Sequence, residues 1–154
     1  MALKKRVKSF AAHRTEIMKY RIIEHTADFG IHVYGRDINR LFANAAHALF
    51  DLITDVRILE GTVENRIQIS GDDWPDLMVN WLRELLCLWT VEDRLVRDVD
   101  ITNLSEYSLR AIATGDPYDQ NRHSIKEEIK AVTYHQIDVY QGLSGWEARV
   151  IFDV

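Results

Sequence analysis

Read from Tyr20, apolar positions first alternate with polar ones and then recur at helical spacing. Phe29, Ile31 and Val33 are separated by Gly30, His32 and Tyr34, the period-two pattern of a strand with one face on a core. Tyr20–Glu24 forms a shorter strand before it, and the polar stretch His25, Thr26, Ala27, Asp28 connects the two. Gly35 and Asp37 close that unit. Ile38, Leu41, Phe42, Ala45 and Leu49 then fall at three- and four-residue intervals, which predicts a helix capped by Asp37. Val63, Ile67 and Ile69 predict a strand, and Asp72, Asp73 and Pro75 supply the cap and first turn of a second helix. Met78, Trp81, Leu82, Leu85 and Trp89 give that helix a wide apolar face, opposite a narrow stripe of Asn80, Arg83, Glu84 and Cys87. It is expected to be the most buried helix, with its Trp residues as core rather than as a ligand platform.

The rest reads as strand. Val96, Val99 and Ile101, then Tyr107, Leu109, Ala111 and Ala113, alternate about a turn near Asn103, and Gly115-Asp116-Pro117 is expected to break this hairpin. Residues 129–140 and 146–154 predict a second long hairpin around Gly142 and Gly145. Two helices among mainly antiparallel strands give an α+β fold: one domain, residues 19–154, with two principal helices packed on sheet. Residues 1–18 carry Lys4, Lys5, Arg6, Lys8 and Arg14 around little periodic apolar material. They are expected to be a mobile basic extension, either a solvated tail or an arm that docks on RNA or an acidic partner.

Composition narrows the function classes. The 154 residues are 47% hydrophobic, enough for one ordinary core. A formal net charge of -5 opposes tight, unaided binding of nucleic acid, so RNA is expected to be met only indirectly, through a partner. The single cysteine, Cys87, excludes an internal disulfide framework and agrees with a reducing, cytoplasmic compartment. No apolar run approaches the roughly 20 residues that span a bilayer, and no signal-peptide core is seen, so neither membrane insertion nor secretion is expected.

Phosphate-binding, dinucleotide-binding, nucleophile-elbow and zinc-helix signatures are all missing. Cys87, mid-helix and without an obvious base, reads as a buried inert thiol. The remaining polar residues gather at strand ends: Glu24, His25, Thr26 and Asp28; Asp116, Asp119, Arg122 and His123; Lys130, Thr133 and His135; and Asp153. Asp153 follows Val150, Ile151 and Phe152 and adjoins the α-carboxylate of Val154. Both acids ionise well below neutral pH, and a hard cation with oxygen ligands would balance them where solvation by water does not. If Ile129, Ala131, Ile137 and Val139 share the core with Trp146, Ala148, Val150 and Phe152, then Lys130 and Asp153 share the opposite face. A slip of one residue would instead set Asp153 beside Thr133 and His135. The first register is preferred because it buries apolar groups, and it makes His135 a hydrogen-bonded core histidine.

Six blocks, in order, resemble the archease family. They are E-H-T-A-D-F-G-I (24–31), L-F-A-N-A-A-H-A-L-F (41–50), W-L-R-E-L-L (81–86), G-D-P-Y-D-Q-N-R-H (115–123), E-I-K-A-V-T-Y-H (128–135) and V-I-F-D-V (150–154). The resemblance implies a divalent-cation site formed by Asp28, Asp153 and Val154, with calcium the expected ion and magnesium or manganese the others. It also implies that the acidic cluster and Lys130 serve a partner, an RtcB-type tRNA-splicing RNA ligase. The ligase's guanylylation and multiple turnover would be promoted without catalysis by this chain itself. His25, Thr26, His123 and Glu84 join Lys130 in the expected partner-facing set. Two positions depart from the family pattern: Asn80 and Arg83 stand where acidic and amide residues are expected, which changes the charge of the second helix's polar stripe. Two other classes compete: a metal-dependent phosphoesterase using Asp28, Asp153 and His123, and a general chaperone or modulator protein.

Overall fold

A computed structural model describes residues 18–24 and 29–154. Strands β1 (Tyr20–Glu24) and β2 (Phe29–Gly35) lead into helix α1 (Ile38–Ile53), a single 3-10 turn (Val56–Ile58) and β3 (Val63–Ser70). Helix α2 (Trp74–Thr90) follows, then β4 (Arg94–Leu104), β5 (Ser108–Pro117), β6 (Ala131–Val132), β7 (Asp138–Gln141) and β8 (Trp146–Asp153). Both helices start as their sequences predict. The Asp37 carboxylate accepts the Arg40 N–H at 2.7 Å, and Asp73 accepts that of Asp76 at 2.9 Å with Pro75 in the first turn, so free N–H groups at each helix start are satisfied.

The strands form two antiparallel sheets. One runs β1-β2-β8-β6, with β7 also paired to β8; the other runs β3-β5-β4. α1 touches β1, β2 and β8 of the first sheet and β4 of the second, while α2 touches β3, β4 and β5 as well as β6 and β7. The helices therefore bridge the sheets, which is the expected α+β architecture. α1, not α2, is the more buried helix. Its Ala45, Ala46 and Ala48 are small enough for strands to approach from two sides, whereas α2 keeps Arg83, Glu84 and Cys87 exposed. Trp81 is core, fully buried, and its indole N–H donates to the Phe42 carbonyl at 2.9 Å. Cys87 is exposed rather than buried, because it lies on that outward stripe.

Three further expectations are corrected. The β4–β5 turn falls at residues 105–107, where the Ser105 hydroxyl accepts the N–H groups of Tyr107 and Ser108. Gly115-Asp116-Pro117 continues β5 instead of breaking it: a Cβ at Gly115 would lie 1.9 Å from the Leu95 carbonyl oxygen, so glycine here permits close approach of β4. The second long hairpin is interrupted. A turn with Ile137 N–H bonded to the Tyr134 carbonyl, and Gln136 at φ 54°, separates β6 from β7. Each short strand then pairs with a different end of β8.

Candidate functional site

The interruption resets strand parity beside the end of β8. Val132 pairs with Phe152, both 2% exposed, and Ala131 pairs with Asp153. The preferred register fails: over β6 Asp153 takes the face of Ala131 and Thr133, the parity of the slipped alternative, and the turn that follows removes His135 from the ladder. Val132 takes the core position expected of Ala131, because the turn at residues 134–137 frees β6 from continuous alternation with β7. His135 is accordingly exposed, not a core residue. Lys130 still adjoins Asp153, through the backbone: its N–H donates to the Asp153 carbonyl at 2.8 Å. Among the described residues no ion pair joins their side chains, which are both exposed.

On the other edge of β8, Phe29 pairs with Phe152 and Gly30 with Ile151. A Cβ at Gly30 would sit 2.4 Å from the Val150 carbonyl oxygen and 2.8 Å from Ile151 Cδ1, so glycine lets Ile151 fold across β2. The start of β2, the end of β8 and β6 thus meet at one end of the sheet. His25, Thr26 and Asp28 lie outside the described residues; Phe29, bonded to Asp28, is the first residue placed beside the β8 terminus. Asp153 and the 52% exposed Val154 offer only oxygen donors there, which suits a hard cation. Among the described residues, no group of three His, Cys, Asp or Glu that could hold a metal ion is found.

The polar stripe of α2 runs beside this end. Arg83 Nε donates to the Val132 carbonyl at 3.1 Å, and the guanidinium carbon lies 4.6 Å from the centre of the Tyr134 ring. The Tyr134 hydroxyl in turn donates to Asp76 at 2.6 Å, which, with the Asp72 N–H, holds the Asp76 carboxyl below its ordinary pKa. Asn80 donates to the Ser70 carbonyl at 2.9 Å. The two departures in the second helix therefore fasten α2 to neighbouring backbone, a role that spacing alone did not reveal. Glu84 is exposed on the same helix.

His123 belongs to a different cluster, at the end of β5. It is 3% exposed, accepts the Asp119 N–H at Nδ1 (3.0 Å), and sets Nε2 3.8 Å from Asp116 Oδ2. Asp116, 2% exposed, accepts N–H groups from Glu60 (2.8 Å), Gly61 (2.6 Å) and Thr62 (3.3 Å). Burial alone would raise the Asp116 pKa, but these donors and His123 outweigh it and hold the carboxyl below its ordinary value. Asp116 thus holds the segment before β3 against the end of β5, while the Asp119–His123 bond and Thr54, whose hydroxyl donates to the Ser124 carbonyl at 2.7 Å, fasten the loop after β5.

The Archease protein family (MTH1598/TM1083) model matches residues 20–154. The chain belongs to the archease family. A protein archease of Methanosarcina mazei is 36% identical over 140 residues, covering 88% of this chain and 96% of that protein. A protein archease of Pyrococcus furiosus is 38% identical over 135 residues, covering 85% and 95% respectively. The solution structure of Methanobacterium thermoautotrophicum protein 1598 superposes with a TM-score of 0.73 at 31% identity, over 88% of this chain and 98% of that one. The archease match thus extends over both sheets and both helices, and over the sheet end that carries Asp153. No helix among the described residues is long and apolar enough to cross a membrane.

Proposed function

We propose that this chain is an accessory factor of tRNA splicing that activates an RtcB-type RNA ligase and does not itself join RNA. The observation that carries the reading is the meeting of three archease blocks at one exposed sheet end. Phe29 of the first block pairs with Phe152 of the last, whose Asp153 receives the N–H of Lys130 from the fifth. Asp28, Asp153 and the Val154 carboxylate would hold a divalent cation there, with calcium favoured and magnesium or manganese as the other candidates. When bound, the ion supplies positive charge that orients oxygen ligands. Lys130 presents an exposed ammonium beside the same terminus, suited to pairing with an acidic or phosphate group of the partner. His25, Thr26 and Glu84 are assigned to the partner-facing surface, which acts in the cytoplasm.

The phosphoesterase alternative needs His123 to reach a substrate as acid or base, and its burial against Asp116 counts against that. The chaperone alternative has only acidity and small size in its favour. The test is radiolabelled guanylylation of an RtcB-type ligase over time, with wild-type protein, Lys130→Ala, Asp153→Ala or none. Wild-type protein should raise the rate at catalytic amounts. Lys130→Ala should lose that effect while keeping its fold, since an exposed lysine contributes little to stability. Identical time courses with and without wild-type protein would refute the activator reading.

A further inference from the structure

A cleft of about 90 Å³ opens where α1 crosses β4, with Lys19, just ahead of β1, as its third wall. Its polar lining is Lys19, Arg40, Asn44, His47, Arg97 and Asp98. β4 bulges at this point: its pairing with β5 shifts between Val96 and Asp98, leaving Arg97 outside the regular ladder. Arg97 is held in place, donating from Nη1 to the Glu60 carbonyl at 3.0 Å and lying 3.4 Å from Asp98 through Nε. Lys19 and Arg40 are exposed and form no ion pair among the described residues. Burial, then the charge of Lys19, push the His47 pKa below its ordinary value against the pull of Asp51 and Asp98. His47 is thus a neutral hydrogen-bonding group at neutral pH, and three cations share one carboxylate that Arg97 already engages.

This grouping runs against the charge of the rest. Residues 1–18 hold five Lys or Arg and one acid, a net +4, which leaves -9 on residues 19–154 of a chain whose total is -5. Three cations grouped around one engaged carboxylate repel one another locally, and an anion in the cleft relieves that repulsion. Guanidinium forks match phosphate oxygens. The cleft is too open and small to enclose a whole metabolite, and the +4 segment directly precedes its Lys19 wall in sequence. Both features suit a ligand with phosphates in a row.

We propose that the α1–β4 cleft binds a backbone phosphate of single-stranded RNA through Lys19, Arg40 and Arg97. The chain then touches RNA directly, if weakly, in place of the purely indirect contact that its net charge suggests. The proposal goes beyond the activator reading and stands without it, because no ligase takes part in the contact or in its test.

The test is fluorescence anisotropy of a short labelled single-stranded RNA titrated with the full chain at several salt concentrations. Wild-type protein should bind with a salt-dependent affinity. Lys19→Gln/Arg40→Gln should bind more weakly on every RNA sequence, with a log-log salt slope reduced by about 0.7 for one lost phosphate contact to a single strand. Arg66→Gln/Arg110→Gln, which removes two exposed cations from the other sheet, should leave slope and affinity unchanged. Circular dichroism melts establish that both variants remain folded. Inorganic phosphate at matched ionic strength should displace the RNA only far above the RNA concentration; displacement at equal concentration would overturn the assignment to a nucleic-acid backbone. An unchanged slope in Lys19→Gln/Arg40→Gln would place the RNA elsewhere, and the absence of RNA binding by wild-type protein would equally overturn the proposal.

Discussion

Asp116→Asn isolates a carboxylate, the one buried among the described residues, that holds the segment before β3 against the end of β5. The wild-type side chain accepts the Glu60 N–H at Oδ2 and those of Gly61 and Thr62 at Oδ1. Asparagine keeps one acceptor oxygen and replaces the other by an NH2 group, so a donor must face either Glu60 or the Gly61 and Thr62 pair. A lost charge-assisted bond is worth about 1.5–3 kcal/mol, and a buried N–H left without an acceptor costs about 1–3 kcal/mol more. With Asp116 only 2% exposed, water cannot repair the loss. The expected destabilisation is about 3 kcal/mol, or roughly 6–12 °C in Tm for a chain of this size. Urea unfolding followed by circular dichroism at neutral pH measures it.

The same variant carries a signed pH signature. The Asp116 pKa is lower in the folded state than its ordinary 3.8, so its stabilisation is complete above that value and is lost as the pH falls through the folded one. The deficit of Asp116→Asn should therefore persist from neutral pH down to about 4 and shrink below it. A deficit under about 1 kcal/mol at neutral pH, or one that does not shrink in acid, would refute the account of Asp116 as an ionised loop anchor.

Other outcomes follow from neighbouring geometry. Gly30→Ala should cost about 1–3 kcal/mol by forcing β2 away from Val150 and Ile151, and hydrogen exchange should show the β2–β8 amides losing protection first. Arg83→Ala should cost only about 0.5–1 kcal/mol, since one partly buried side-chain bond and one ring contact are removed; a double-mutant cycle with Tyr134→Phe measures the part that depends on the ring's tie to Asp76. Terbium luminescence should report a cation site that weakens in Asp153→Ala and when the chain is extended past Val154, whereas an N-terminal extension should leave it intact. Equal affinities in all these forms would remove the β8 terminus from the site.

Periodicity gave reliable access to whatever depends on short-range order. The helix starts at Asp37 and Asp73, the strands Tyr20–Glu24 and β2, and the paired β4 and β5 all follow from caps and alternation within a few residues. The unusual end of the chain, an acid after an apolar strand, was visible in the same way. The basic cleft was not, because Lys19, Arg40 and Arg97 lie far apart in sequence and each alone is an ordinary surface cation. The Asp116 and His123 pairing had a partial signal in the polar loop after β5, but spacing could not tell an exposed catalytic pair from a buried anchor.

The sequence by itself determined which segments are helix or strand and which residues in them are apolar, since those properties arise from side-chain size, branching and spacing along the backbone. Tertiary structure decided how those segments share space. Strand parity at β6 was set by which residue, Val132 or Ala131, could fill the gap opposite Phe152. α1 became the more buried helix because strands of both sheets close on its alanines, and Cys87 remained exposed on the outward stripe of α2. Burial is a property of the space between segments, and a linear pattern records only the side each segment prefers to hide.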